Sequence, residues 1–293
     1  MQGENEKRVA KSDLLWYANK KSALAQLEKK EKHMKQIAII TGATSGIGRE
    51  YALTVTQHIA GIEELWVISR NPSEELVRPI EEAAGCPVRP FALDLSDPAS
   101  YQVIADALAE EKPHVRILMN CSGYGKFCAT DAASTDVYLN MMMLNCGSVM
   151  GVTQAVLPYL SAGDSIVNIA SVAAFQPVPY INVYAATKAF VLSYTRALGS
   201  ELRSRGIRVL AVCPFWTKTK FFARAISEEK DPVVKKYAAM YQPEQIVTRT
   251  WRDLRRGKDV SKFGFVARFQ AVLAKLLPHR FVMWYWKKQQ SLK

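Results

Sequence analysis

The chain has little of what a metal centre, a disulfide scaffold or a membrane-spanning protein needs. Its five cysteines, Cys86, Cys121, Cys128, Cys146 and Cys213, are scattered, and none forms a CxxC pair. An odd, dispersed set within apolar runs reads as reduced thiols rather than a cross-linked framework. The four histidines (His33, His58, His114, His279) lie far apart. None stands at ligand spacing from another histidine or a cysteine, so no metal is expected. No uninterrupted apolar run reaches the ~18 residues that argue for a transmembrane helix. The stretch LLWYA (14–18) is too short for a secretory leader and is followed by lysines, so the expected address is the cytoplasm.

Basic residues outnumber acids at both ends. Residues 249–293 hold twelve Lys/Arg against Asp253 and Asp259, and residues 1–35 hold nine against five acids, while the whole chain carries +12. Basic ends suit an anionic partner such as a membrane surface, an acidic protein or nucleic acid. The plainer reading is a solvated basic face with no specific partner. No aromatic-interleaved basic motif favours nucleic acid, so none is expected as a partner.

What is present is a core. Apolar residues make up 49% of the 293, enough for one large α/β domain or two small ones. Short apolar runs recur at 36–40, 65–69, 88–95, 115–123, 165–171 and 207–214. Segments of helical length separate them, at 46–59, 74–84, 98–111, 134–161 and 183–205. Strands alternating with helices predict βαβ units, and continuous rather than alternating apolar strands predict a parallel sheet covered on both faces. The expectation is a single doubly wound, Rossmann-like domain over residues 35–243. A helical extension (1–34, with a helix over 12–32) precedes it, and a basic, apolar tail (244–293) follows it.

The segment Thr41-Gly42-Ala43-Thr44-Ser45-Gly46-Ile47-Gly48 closes the first predicted strand and opens the first helix. Glycines there let the backbone turn sharply and approach a pyrophosphate, and the helix N-terminus offers N–H donors. A glycine cluster alone is weak, but its place between strand and helix predicts dinucleotide binding. The second strand ends Ser69-Arg70-Asn71, with no carboxylate to hold the ribose hydroxyls of NAD. An arginine fork and a serine hydroxyl there favour the 2′-phosphate of NADP(H). Asp94 and Leu95 end the third strand, and Asn120, Ser122 and Gly123 end the fourth, all at carboxyl ends where a cofactor would lie.

Ser171 closes the fifth strand, and Tyr184 and Lys188 follow at helical i, i+4 spacing. They share one helix face and reach a common point. A free phenol titrates near ~10 and is a poor base at neutral pH. A neighbouring ammonium and a cationic nicotinamide are expected to lower that value and fit the tyrosine to exchange a proton with an alcohol or ketone oxygen. A surface YxxxK pair arises often by chance; a serine at a strand end thirteen residues upstream makes that reading the weaker one.

These motifs resemble the short-chain dehydrogenase/reductase family over about residues 35–220. TGATSGIG (41–48), DL (94–95), NCSG (120–123), Asn145, Ser171 and YAATK (184–188) fall in family order. The resemblance implies Asn145, Ser171, Tyr184 and Lys188 as the catalytic set, with Asn145 holding a water that links Lys188 to solvent. It implies that Tyr184 and Lys188 also meet the cofactor, and that Pro214, Thr217 and Thr219 contact its nicotinamide side. Phe215 and Trp216 stand where the family usually has glycine, and with LPYL (157–160) they look like the branch of 17β-hydroxysteroid dehydrogenases and very-long-chain 3-oxoacyl reductases. Both aromatics are expected to wall an apolar substrate pocket.

The sequence therefore predicts an NADP(H)-dependent alcohol–ketone oxidoreductase acting on a steroid or bile acid, in steroid and lipid metabolism. A 3-oxoacyl thioester is the alternative substrate. A non-catalytic NADP-binding sensor would predict a broken Ser-Tyr-Lys set. The tail is expected to cover the substrate pocket and join a homo-oligomer, dimer or tetramer, with membrane contact secondary.

Overall fold

The computed structural model describes residues 34–221, 225, 233–234, 236–237 and 239–292. The helix expected over 12–32, and the extension that contains it, lie outside the described residues. From residue 36 onward the chain forms one compact unit.

Its first half repeats strand and helix: β1 (Gln36–Thr41), α1 (Gly46–His58), β2 (Glu64–Ser69), α2 (Glu74–Ala84), β3 (Val88–Ala92), α3 (Ala99–Glu111) and β4 (His114–Asn120). Then come α4 (Thr135–Met142), a π-helical turn (Met143–Gly147), α5 (Ser148–Val156), β5 (Ser165–Ile169), α6 (Asn182–Glu201) and β6 (Arg208–Val212). The strands pair in the order β3-β2-β1-β4-β5-β6-β7, with β7 the short strand Val260–Ser261, every pair parallel. Because the order reverses between β1 and β4, the loops leaving those two strands diverge and open a crevice at their carboxyl ends.

The alternation of side chains along each strand explains why the sheet is covered twice. Ile37, Ile39, Trp66, Ile68 and Leu118 point to one face and pack with Ile104 and Leu108 of α3, Val152 and Val156 of α5 and Leu198 of α6. Ala38, Ile40, Leu65, Val67 and Met119 point to the other and pack with Tyr51 and Val55 of α1 and Ile80 of α2. Period-2 strands buried on both faces read as the continuous apolar runs seen in the sequence.

The boundary expected at 243/244 is not where the sheet ends. Helix α7 (Pro243–Arg255) packs Ile246, Val247 and Trp251 into the second core. The Tyr51 hydroxyl donates to Thr250 Oγ1 at 2.7 Å, and Trp251 meets the Tyr51 ring edge-on, tying α7 to α1. The two-residue strand β7 (Val260–Ser261) then extends the sheet beside β6. Two residues carry no readable periodicity, so the sequence reading stopped at six strands. Helices α8 (Phe265–Leu276) and α9 (His279–Gln290) follow.

Buried Asp253 fixes β7. It accepts from Arg249 Nε at 2.7 Å and Ser261 Oγ at 2.9 Å, and pairs with Lys258 Nζ at 2.8 Å. Burial pushes its carboxyl up, but those three donors outweigh burial and hold it below the usual aspartate value. Asp253→Asn should therefore destabilise the fold by on the order of 3 kcal/mol, the scale for breaking a buried ion pair. The loss should be full at neutral pH and should shrink as pH falls below about 4, where the wild-type carboxylate itself takes up a proton. Urea unfolding of both proteins at neutral and acid pH measures it; equal stabilities at pH 7 would contradict the account.

Candidate active site

The crevice at the β1/β4 divergence opens into a cavity of about 500 Å³. Its floor is the turn between β1 and α1, where Gly42, Thr44, Ser45, Gly46, Ile47 and Gly48 all line the wall. Gly42 has φ +65°, and a β-carbon there would lie 3.0 Å from the Ser122 amide nitrogen. A β-carbon on Gly48 would run into the Gly42 carbonyl oxygen. Both positions require glycine, one for its backbone conformation and one for space. The Ser45 side chain makes no capping bond and no acid stands in the first turn of α1, so the helix's leading N–H groups and partial positive charge are open to an anion.

A hydroxyl the sequence reading left unassigned pins this floor to the opposite lip. Thr41 Oγ1 accepts from the amides of Cys121 at 3.0 Å and Ser122 at 3.1 Å. It thereby sets the width of the crevice.

Further along, Ser69, Arg70 and Asn71 line the cavity beyond β2, together with Leu95. Ser69 Oγ is buried and finds no hydrogen-bond partner in the protein. A buried, unsatisfied hydroxyl costs roughly 1–3 kcal/mol. A polar ligand in the cavity would relieve that cost. With the glycine cradle and the open helix end, these residues fit a dinucleotide.

Two residues expected beside the cofactor lie off the cavity wall. Asp94 does not line the cavity; its carboxylate closes a local turn by accepting from the Ser96 amide and hydroxyl at 2.9 and 2.7 Å. Asn120 lies behind the wall, donating to Thr153 Oγ1 at 3.1 Å and Asn168 Oδ1 at 2.9 Å. Its neighbours Ser122 and Gly123 do line the cavity. Asn120 is the last residue of β4, and a residue there points into the core or the crevice depending on register; Asp94 lies two residues beyond β3.

Ser171, Tyr184 and Lys188 all line the same cavity. The Ser171 hydroxyl is oriented by accepting from the Ala173 amide at 3.2 Å. Burial pushes the Tyr184 phenol up to about 12, and a hydrogen bond with Ser171 pulls it partly back. The expected lowering by Lys188 is not what dominates. The Lys188 ammonium lies 5.8 Å from the Tyr184 ring centre and donates to the Ile169 carbonyl at 2.8 Å. Burial brings that lysine down to about 8, opposed by the thiols of Cys146, Cys121 and Cys213.

Asn145 is fully buried but is not part of the cavity wall. Its carboxamide accepts from the Tyr124 amide at 3.0 Å, and donates to the Tyr124 carbonyl at 2.9 Å and to Thr187 Oγ1 at 3.0 Å. Held in the π-helical turn, it clamps the loop after β4 to helix α6. Its side chain is thus a brace between the two segments.

The far end of the cavity is aromatic. Phe215 and Trp216 line it as expected, with Pro214, Thr217 and Thr219 between them and the cradle. The sequence reading missed Phe127, Phe221 and Trp286. Phe127 meets Tyr184, Phe221 and Trp216 with ring centres 5.7, 6.0 and 6.2 Å apart, and Trp216 stacks on Trp286 at 6.4 Å. Trp286 belongs to α9 and donates to the Pro179 carbonyl at 3.0 Å. Gln290 clamps the Lys236 backbone with bonds of 2.9 Å in both directions. No periodic signal marks these contacts, because they join segments 54 to 107 residues apart.

The comparisons agree with this geometry. The family model described as short chain dehydrogenase matches residues 36–230. Sulfoacetaldehyde reductase 2 of Chromohalobacter salexigens is 35% identical over 194 residues, covering 64% of this chain and 75% of that protein. The human very-long-chain 3-oxoacyl-CoA reductase is 31% identical over 190 residues, covering 62% of this chain and 60% of its own length. Among solved structures, a short-chain dehydrogenase from Sphingobium yanoikuyae in complex with NADPH superposes with a TM-score of 0.69 at 26% identity, over 85% of this chain and 95% of that one. Glycine turn, parallel sheet and Ser-Tyr-Lys centre thus coincide with a family match over most of the chain, which belongs to the short-chain dehydrogenase family of oxidoreductases acting on CH–OH groups.

Proposed function

We propose that the chain interconverts a secondary alcohol and a ketone on a bulky apolar skeleton with NADP(H), a hydroxysteroid or bile acid being the favoured class. The observation that carries the reading is the single cavity that runs from the glycine cradle, past Tyr184, to the wall of Phe127, Trp216, Phe221 and Trp286. Rigid rings meeting edge-on suit a flat, rigid substrate. A 3-oxoacyl thioester is the second reading. Similarity to a 3-oxoacyl-CoA reductase favours it, as does Lys220 at the cavity, which suits an anionic carrier. The proposal extends to a cytoplasmic homo-oligomer, dimer or tetramer.

Gly42, Gly46, Gly48 and the α1 N-terminus would hold the pyrophosphate, and Ser69 and Arg70 the 2′-phosphate. The bound dinucleotide supplies or accepts the hydride. Ser171 orients the substrate oxygen, and the Tyr184 phenol exchanges a proton with it. Lys188 places positive charge beside that exchange. At neutral pH a phenol raised by burial is protonated, so it stands ready to donate in ketone reduction. In alcohol oxidation it must first lose that proton.

Three outcomes follow. Tyr184→Phe should bind NADPH normally yet turn over at least ~10²-fold more slowly, the scale of general acid–base groups. A near wild-type single-turnover rate in stopped flow would end the mechanism. Oxidation should quicken as pH rises from 7 toward 10, while reduction stays flat between 6 and 8; a pH-independent oxidation rate speaks against a high phenol. Arg70→Ala should narrow the preference for NADPH over NADH by ~1–3 kcal/mol, the range of charge-assisted hydrogen bonds. Equal wild-type affinities in a fluorescence titration would remove NADP(H) specificity. Activity across steroid ketones and 3-oxoacyl thioesters separates the two substrate readings.

A further inference from the structure

Helices α8 and α9 each turn one face to the core and leave the other bare. On α8, Ala267, Ala271 and Ala274 are buried. On its other side Phe265, Phe269, Val272 and Leu276 are 79%, 52%, 53% and 74% exposed. Their spacing of four, three and four residues makes one stripe along the helix. On α9, Trp286 and Gln290 are buried, while Phe281, Trp284 and Tyr285 are about half exposed at 49%, 51% and 57%. Apolar residues scattered singly need no explanation, but a seven-residue display on two consecutive helices marks an interaction surface.

The charge around these faces selects the partner. Arg268 and Lys275 are exposed along the side of the α8 stripe, and Arg280 and Lys288 are exposed on α9. No acid follows Asp259 in the sequence. A second copy would bring the same cations against themselves, and nothing acidic within the segment would offset the repulsion. An apolar, aromatic face whose own two helices carry cations and no acid is instead complementary to an anionic lipid surface. There the chains enter the acyl boundary, Trp and Tyr rings sit at headgroup level, and Lys and Arg reach the phosphates. No described helix is long and apolar enough to cross a bilayer, and Pro278 separates α8 from α9. Both facts fit helices that lie in the interface plane.

We propose that α8 and α9 form a docking surface that rests on an anionic lipid bilayer. The docking rests on exposure and charge, and not on the reductase reading. Joined to that reading, it has a consequence. Gln270 and Trp286, on the inward sides of the same two helices, line the cavity, so its aromatic end lies beside the lipid-facing segment and an apolar ketone dissolved in the bilayer meets the enzyme there.

The test is flotation of the full chain with vesicles of phosphatidylcholine alone and of phosphatidylcholine mixed with phosphatidylglycerol. Binding is expected to the anionic vesicles, to weaken with added salt, and to shift the fluorescence of the Trp284 region to the blue. The pair Phe269→Asp and Trp284→Ser should lower binding ~10-fold or more, because both place polar groups in the acyl boundary. NADPH affinity of that variant should stay at the parent value, which shows an intact fold. Arg268→Gln with Lys275→Gln, both at exposed sites, should remove much of the salt-sensitive part even if the apolar pair fails to fold. Absence of wild-type binding to anionic vesicles overturns the proposal. So does a Phe269→Asp variant that dissociates a dimer in light scattering while vesicle binding is unchanged, since the face would then belong to a second copy. If vesicles bind but no ketone is reduced, docking stands and the substrate reading falls.

Discussion

The Lys188 ammonium is taken out of water at the carboxyl edge of the sheet, where it donates to the Ile169 carbonyl 2.8 Å away. Most of the site's arrangement serves to hold it there. Helix α6 carries it into the crevice with Tyr184 one turn earlier, strand β5 supplies the carbonyl, and Asn145 locks the loop after β4 to α6 through Tyr124 and Thr187. The cost of burying a cation appears as its fall to about 8. A cation so buried is screened less than one in open water, so its field acts more strongly on whatever oxygen Tyr184 serves.

The sheet explains why this cost can be borne. Seven parallel strands buried on both faces put two apolar cores behind the site, and the reversal of strand order makes the crevice without any break in that packing. Thr41 spans the crevice at its base, and Asn120 and Asn168 carry a buried polar ladder from β4 and β5 to Thr153 and Thr195. These groups act on the site by fixing the backbone that carries it.

Much of this was legible in the sequence. Period and turn chemistry predicted the first six strands and the main helices within a few residues, and the motif spacing brought Gly42, Ser171, Tyr184 and Lys188 to one cavity. Register and long-range packing were not legible. Asn120 ends β4 but lies behind the cavity wall, because the direction of a terminal residue depends on register, and Asp94, two residues past β3, closes a local turn with Ser96. Strand β7 is too short to carry a pattern. Phe127, Phe221 and Trp286 meet only after the fold closes, and the π-helical turn at Asn145 has no local signal. The tyrosine's titration also differed in direction, since desolvation of the phenol exceeds the influence of a lysine that is itself buried and bonded elsewhere.

The central claim is that the reaction centre is held together at the expense of stability. Lys188 is protonated in both folded and unfolded chains below about pH 8, so the burial cost is fully present at pH 7; it is relieved as pH rises from about 8 toward 10.5, where only the unfolded chain keeps the proton. A drop of that size corresponds to about 3 kcal/mol. Losing the bond to Ile169 offsets roughly 1 kcal/mol of any gain. Urea unfolding of cofactor-free Lys188→Met against the parent at pH 7 is the direct measurement. The account predicts a variant more stable by about 1–2 kcal/mol that no longer reduces ketones; a variant that unfolds at lower urea than the parent would contradict it.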